Sequence, residues 1–177
     1  MPQTEPRTTR QDRSFGPPTT LDALLHLDGD ALLGLYRNGR VPRLQDVTGQ
    51  LRGRMLAIPK LSPGLAGLAR RLASSNRFPW RGKTFTHDSE LRGGGVNRVV
   101  TDRAELFRFT TFVAPSRAGD FDAVQLDYDH RGNPFFIRAI KDEIREISPG
   151  LFLGRAYVLI RGKAQFVLWF GLEHPAR

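Results

Sequence analysis

Two kinds of hydrophobic spacing divide this chain. From Thr20 to Tyr36 the apolar positions Leu21, Leu24, Leu25, Leu32, Leu33 and Tyr36 recur at near-helical intervals. The pattern breaks at Asp28-Gly29 and stops at Asn38-Gly39, which predicts two short helices. Ser62-Pro63 offers an N-cap followed by proline at the first helical position. Leu65, Ala66, Leu68, Ala69, Leu72 and Ala73 then form one stripe with Arg70 and Arg71 outside it, so a further helix is expected up to Ser75-Asn76.

From Trp80 onward the runs become short and rich in β-branched and aromatic residues. Arg81 to Asp88, Val96 to Thr101, Glu105 to Ala114 and Ala123 to Tyr128 read as strands, separated by turn clusters such as Arg92-Gly93-Gly94-Gly95 and Pro115 to Asp120. A further short strand is expected at Met55 to Pro59. Leu151 to Ile160 and Ala164 to Glu173 flank Arg161-Gly162-Lys163 and predict a hairpin covered on both faces. Between them Ile137, Ile140, Ile144 and Ile147 sit at helical offsets, which predicts a short helix within Asn133 to Ile147. Six to eight strands in meander order with a few short helices predict a mostly β fold, an antiparallel barrel or half-barrel, in which closure removes exposed edges and leaves an interior pocket.

Length and composition fit this picture. The 177 residues, 40% of them hydrophobic, suit one domain, expected over residues 20–177 behind a polar, proline-bearing tail at 1–19 read as disordered. With no cysteine, disulfides, thiolate metal sites and a cysteine nucleophile are excluded. No secretory pattern and no apolar run of the roughly 18 residues that span a bilayer are present, so a cytoplasmic location is expected. The net charge of +9 is concentrated in residues 1–100, with 16 Lys and Arg against 8 Asp and Glu. Such a balance admits an anionic partner reached through Arg70, Arg71, Arg77, Arg81 and Lys83, but the arginines are scattered and form no stripe, so nucleic-acid binding is disfavoured.

No motif specifies a reaction. Asp127-Tyr128-Asp129-His130-Arg131-Gly132-Asn133 carries the opening of a calcium loop, yet Arg131 and Arg138 occupy positions five and twelve, where oxygen ligands are required. These are turn residues. The four histidines show no metal-ligand spacing, and His87, at a strand end, reads as a surface histidine ahead of a haem axial ligand or a lone general base. Gly93-Gly94-Gly95 lacks a phosphate-loop lysine and reads as a hairpin loop. Arg138, Lys141, Asp142, Glu143, Arg145 and Glu146 read as the solvated face of the helix expected there. No metal or other cofactor is implied.

The aromatic residues point elsewhere. Seventeen Phe, Trp and Tyr side chains in a small barrel supply both core and the lining of a cavity. Trp80, Lys83, Phe85, Phe107, Phe109 and Trp169 are the candidate ligand-binding residues, and Asp127, Tyr128 and Arg138, near one strand end, are the candidate acid–base residues.

The succession Trp80-Arg-Gly82-Lys83-Thr-Phe85, Gly93-Gly-Gly-Val-Asn97-Arg98, Ile140-Lys-Asp142-Glu143, Leu153-Gly154-Arg155 and Phe166-Val-Leu-Trp-Phe170 resembles bacterial lipocalin-like (calycin-like) proteins. More loosely it is similar to GXWXG-type domains of unknown function. Where those carry their namesake tryptophan, this chain reads Gly49-Gln50-Leu51-Arg52-Gly53. The resemblance implies a barrel with an apolar pocket, used by a carrier or by a cofactor-free enzyme. The expected function is binding of a small hydrophobic molecule. The alternatives are a cofactor-independent cyclase or isomerase acting on a hydrophobic intermediate, and nucleic-acid or anionic-surface binding through the basic first part. The helix at 62–75 is expected to act as a lid.

Overall fold

Eight strands pair in the order in which the chain makes them. In the computed structural model, which describes residues 18–56, 80–99 and 105–175, these are β1 (Gly49–Met55), β2 (Trp80–His87), β3 (Arg92–Val99) and β4 (Glu105–Pro115), then β5 (Asp122–Asp127), β6 (Ile140–Ser148), β7 (Leu151–Ile160) and β8 (Lys163–Glu173). Each is antiparallel to the next, and β8 closes on β1, with Arg52 opposite Glu173 and Met55 opposite Phe170. This is the closed, antiparallel up-and-down barrel that the strand spacing predicts. A ring of eight strands is just wide enough to be filled by side chains or to hold one small ligand.

The meander sorts the connections between two ends. The strand ends at Met55, Trp80, Val99 and Glu105 and the β5–β6 and β7–β8 connections lie at one end, called upper here, and the β2–β3, β4–β5 and β6–β7 turns at the lower. Interior positions Leu51, Phe85, Phe109, Val124, Leu126, Ile144, Phe152 and Leu172 form one buried core. Leu44 and Val47, from a 3₁₀ turn at Leu44–Val47, join that core just ahead of β1, at the lower end. Outside the barrel, α1 (Gly29–Asn38) and a 3₁₀ turn at Asp22–His26 lay Leu21, Leu24, Leu32 and Tyr36 on Leu151, Leu153 and Trp169. That second layer explains why β7 and β8 are apolar on both faces. Asp28 caps α1, its Oδ1 accepting from the backbone N–H groups of Asp30 (3.1 Å) and Ala31 (2.9 Å).

Three expectations are corrected. The isoleucine spacing in Asn133 to Ile147 resolves into one helical turn, α2 (Phe135–Arg138), followed at once by strand β6. Isoleucines three and four apart suit a helix, but β5 and β7 offer backbone partners on both sides of this segment, and the β-branched residues take the strand. The mixed-sign cluster is therefore no solvated helix face: Asp142, Glu143, Arg145 and Glu146 are all buried. Gly93 to Gly95 lie within β3, paired with Thr86, His87 and Phe109, and the turn falls earlier, between β2 and β3. Gly49 to Arg54, left unassigned by pattern, forms β1. The lid helix at 62–75 and the strand residues 57–59 lie outside the described residues, as does nearly all of the N-terminal tail.

Candidate functional site

A cavity of about 110 Å³ occupies the upper half of the barrel. Its described walls are apolar over most of their extent: Met55, Trp80, Val99, Phe107, Ile137, Ile140, Ala156, Val158, Val167, Leu168 and Phe170. Four polar residues interrupt them, Lys83, Asn97, Tyr128 and Asp142. They come from four elements, β2, β3, the end of β5 and β6.

Two backbone features shape this wall. The β2–β3 ladder shifts between Trp80 and Gly82, and Gly82 has φ of +135°, a conformation that disfavours any side chain. A Cβ there would also lie 2.0 Å from the Leu51 carbonyl oxygen, so only glycine allows β2 to approach β1 this closely. On β4, beside a second shift at Gly95–Asn97, Phe107 takes φ of 60°. A left-handed phenylalanine is strained, and it is tolerated here at a cavity wall where Asn97 Nδ2 donates to its carbonyl at 3.4 Å.

The polar cluster is tightly specified. Lys83 Nζ donates to Asn97 Oδ1 (2.9 Å), to Asp142 Oδ2 (3.1 Å) and to the Tyr128 hydroxyl. Tyr128 in turn donates to Asp142 Oδ2 at 3.1 Å and accepts from Asn97 Nδ2 at 3.2 Å. Trp80 Nε1, which can only donate, points at Asn97 Oδ1 at 3.0 Å and so fixes which way the amide faces. Aromatic rings of Trp80, Phe109, Tyr128 and Phe170 lie 5.2–5.4 Å from the ammonium, whose charge their faces favour.

Counting donors and acceptors shows what remains. The three Lys83 protons, both sides of the Asn97 amide and the Tyr128 hydroxyl are all engaged. Asp142 Oδ1 has no hydrogen-bond partner, in a side chain that is buried and lines the cavity. Burial pushes the Asp142 carboxyl up, opposed by Lys83, and pushes the Lys83 ammonium down, opposed by Asp142. Burial, reinforced by the Asp142 charge, raises Tyr128 well above an ordinary phenol. A buried Lys–Asp pair beside an apolar space carries a desolvation cost that its own attraction and hydrogen bonds offset.

The residues expected from sequence fall in different places. Trp80, Lys83, Phe107 and Tyr128 line the cavity. Phe85 and Phe109 stack edge to face in the interior core at 5.2 Å, and Phe109 packs on Tyr128 at 5.3 Å, so they support the site from within the core and are not among its walls. Trp169 faces the outside of the barrel, against Tyr36 at 5.7 Å. Asp127 pairs with Lys141, because alternation sends the residue beside Tyr128 to the other face, and Arg138, at the end of α2, pairs with Asp129 at 2.6 Å; neither lines the cavity. Lys83 is 3% exposed and so is not placed to contact a phosphate surface. His87 sits at the lower end, where Nδ1 meets Thr48 Oγ1 at 2.7 Å.

Asn97 and Asp142 are the site residues that pattern reading missed. The signal for Asp142 is a single charge alternating with Ile140 and Ile144, visible once the segment is taken as a strand. Its neighbour Glu143, also fully buried, faces the other way and accepts from Ser116 Oγ (2.8 Å), Arg117 N (3.0 Å) and Tyr157 OH (3.0 Å), fastening the β4–β5 turn.

Fold and cavity together define a closed eight-stranded antiparallel barrel with an apolar chamber and a buried polar cluster in its wall. No protein-family model and no curated protein matches the chain. Among solved structures it is similar to a crystal structure of a protein from Thermomonospora curvata, at 14% identity and a TM-score of 0.50 over 88% of this chain and 93% of that one. At this identity the likeness shows the fold alone. Among the described residues no helix is long and apolar enough to cross a membrane.

Proposed function

We propose that the chain binds a small, largely apolar molecule that carries one hydrogen-bond donor, a hydroxyl or an N–H, in the upper chamber of the barrel. The observation that carries this reading is the unpartnered Oδ1 of Asp142 in an otherwise saturated polar cluster. A donor on the ligand would satisfy it once the carboxylate turns toward the chamber, whereas a carboxylic acid would bring a second negative charge to the same place. Trp80, Phe107, Ile140 and Phe170 would hold the apolar body.

The test compares α-naphthol, α-methoxynaphthalene and α-naphthoate by fluorescence titration. A hydrogen bond to a charged acceptor is worth about 1.5–3 kcal/mol, so α-naphthol should bind about tenfold or more tighter than its methyl ether, and α-naphthoate weakest. In Asp142→Asn, Lys83 takes the amide oxygen and leaves Nδ2 for the ligand, so the preference should turn toward the ether. Failure of all three to bind would remove the pocket reading.

A second reading, a cofactor-independent isomerase or cyclase, is favoured by the opposed pKa shifts of Asp142 and Lys83, which suit acid–base work at one point of an apolar chamber. Here the base would be Asp142, in place of Asp127 and Arg138. Mass spectrometry of material released from native protein, before and after incubation with wild type or Asp142→Asn, separates the two: a carrier returns its ligand unchanged.

A further inference from the structure

We propose that the upper rim of the barrel docks on an anionic phospholipid bilayer. Phe135 is 85% exposed and Phe136 52%, their rings 5.6 Å apart on α2, while the next residue, Ile137, turns inward to line the cavity. Leu159 and Ile160, at the β7–β8 turn, are also exposed. The Leu159 N–H donates to the Ala139 carbonyl at 2.8 Å, which joins this turn to the end of α2 as one continuous edge. Leu106, at the start of β4, is exposed at the same end. Adjacent aromatic rings held out in water on a helical turn are explained by nothing inside the barrel, and such patches mark contact surfaces.

Charge selects the partner. Arg81, Arg108, Arg131, Arg161 and Lys163 are exposed on the strand ends and connections of this same end. The nearby carboxylates Asp127 and Asp129 are already paired, with Lys141 and Arg138, and Glu105 is the other acidic residue described there. Aromatic and aliphatic tips set among arginines match the boundary of a bilayer carrying anionic headgroups, where rings sit at headgroup depth and each basic residue adds to the attraction. Docked in this way, the cavity would open toward the source of an apolar ligand.

The experiment is co-sedimentation of the full chain with phosphatidylcholine vesicles, with and without a one-third share of phosphatidylglycerol. Wild type should partition about tenfold or more better into the anionic vesicles, and the advantage should fade as salt is raised. Phe135→Ala with Phe136→Ala should weaken binding by about tenfold or more. Because both rings are exposed, that variant should keep wild-type circular dichroism and the α-naphthol affinity of the pocket, so loss of docking and loss of the pocket are told apart. Failure of wild type to bind anionic vesicles, equal binding to neutral ones, or undiminished binding by the double variant overturns the proposal. So does a dimer in solution that the double variant dissolves when no vesicle binding is seen.

Discussion

Raising the pH should leave the absorbance of this protein flat through the range in which tyrosine normally ionises, and then unfold it abruptly. The chain has three tyrosines, and all are buried: Tyr36 at 0% exposure, Tyr128 at 2% and Tyr157 at 3%. Burial raises each above the ordinary phenol value of 10, and a neighbouring carboxylate adds to the effect, Glu143 for Tyr36 and Tyr157, Asp142 for Tyr128. Below pH 10 both folded and unfolded chains hold these protons, so they confer no pH dependence. Above it the unfolded chain releases them while the folded chain retains them, and stability falls as pH rises. Each group contributes about 1.4 kcal/mol per pH unit, so three give about 4 kcal/mol per unit. Lys83 acts in the opposite direction: its lowered folded value makes stability rise with pH up to about 10.4, the unfolded lysine value, and contributes nothing beyond. Against a typical 5–15 kcal/mol of stability, the barrel should collapse about one to four units above pH 10. Absorbance at the tyrosinate band, recorded with far-ultraviolet circular dichroism, should show a single step coincident with unfolding. Tyr128→Phe should remove a third of its amplitude. A tyrosinate step near pH 10 while the dichroism is still native would refute the burial of at least one of these rings.

Other outcomes follow from the same packing. Lys83→Met leaves Asp142 buried without its cation and should cost about 3–5 kcal/mol in urea unfolding, whereas Lys83→Met with Asp142→Leu should recover most of that loss, since well-packed apolar residues replace buried pairs at little cost. A Cβ on Gly154 would lie 2.2 Å from the Phe170 ring, which is also a wall of the cavity. Gly154→Ala should therefore push that ring and weaken α-naphthol binding more than a surface Gly→Ala control such as Gly132→Ala. Glu143→Ala leaves Tyr157 OH and the Arg117 N–H without their acceptor; about 2–4 kcal/mol of lost stability and faster hydrogen exchange at residues 116–121 are expected.

Local pattern was sufficient wherever the chain's own chemistry decides its conformation. Asp28 caps α1 with its own side chain, Arg161-Gly162 turns β7 into β8, and the run of β-branched and aromatic residues from Trp80 onward leads to strands. From these the barrel follows, because a meander of short antiparallel strands removes its edges by closing. Trp80, Lys83, Phe107 and Tyr128, singled out from the sequence, do line the cavity, since aromatics and a lone lysine on apolar strands need an interior to face. What pattern did not decide was a matter of partners distant in sequence. The segment from Ile140 to Ser148 spaces its isoleucines as a helix would; the backbone groups of β5 and β7 on either side make it a strand. That one choice carries Asp142 inward to Lys83, 59 residues away, and sends Glu143 outward to Ser116 and Tyr157. Asp127 and Tyr128 are adjacent in the chain, yet the pleat places one in an outer ion pair and the other in the cavity. Which carboxylate faces the apolar chamber is set by register, and register is a property of the closed barrel, held by contacts that no local stretch of sequence contains.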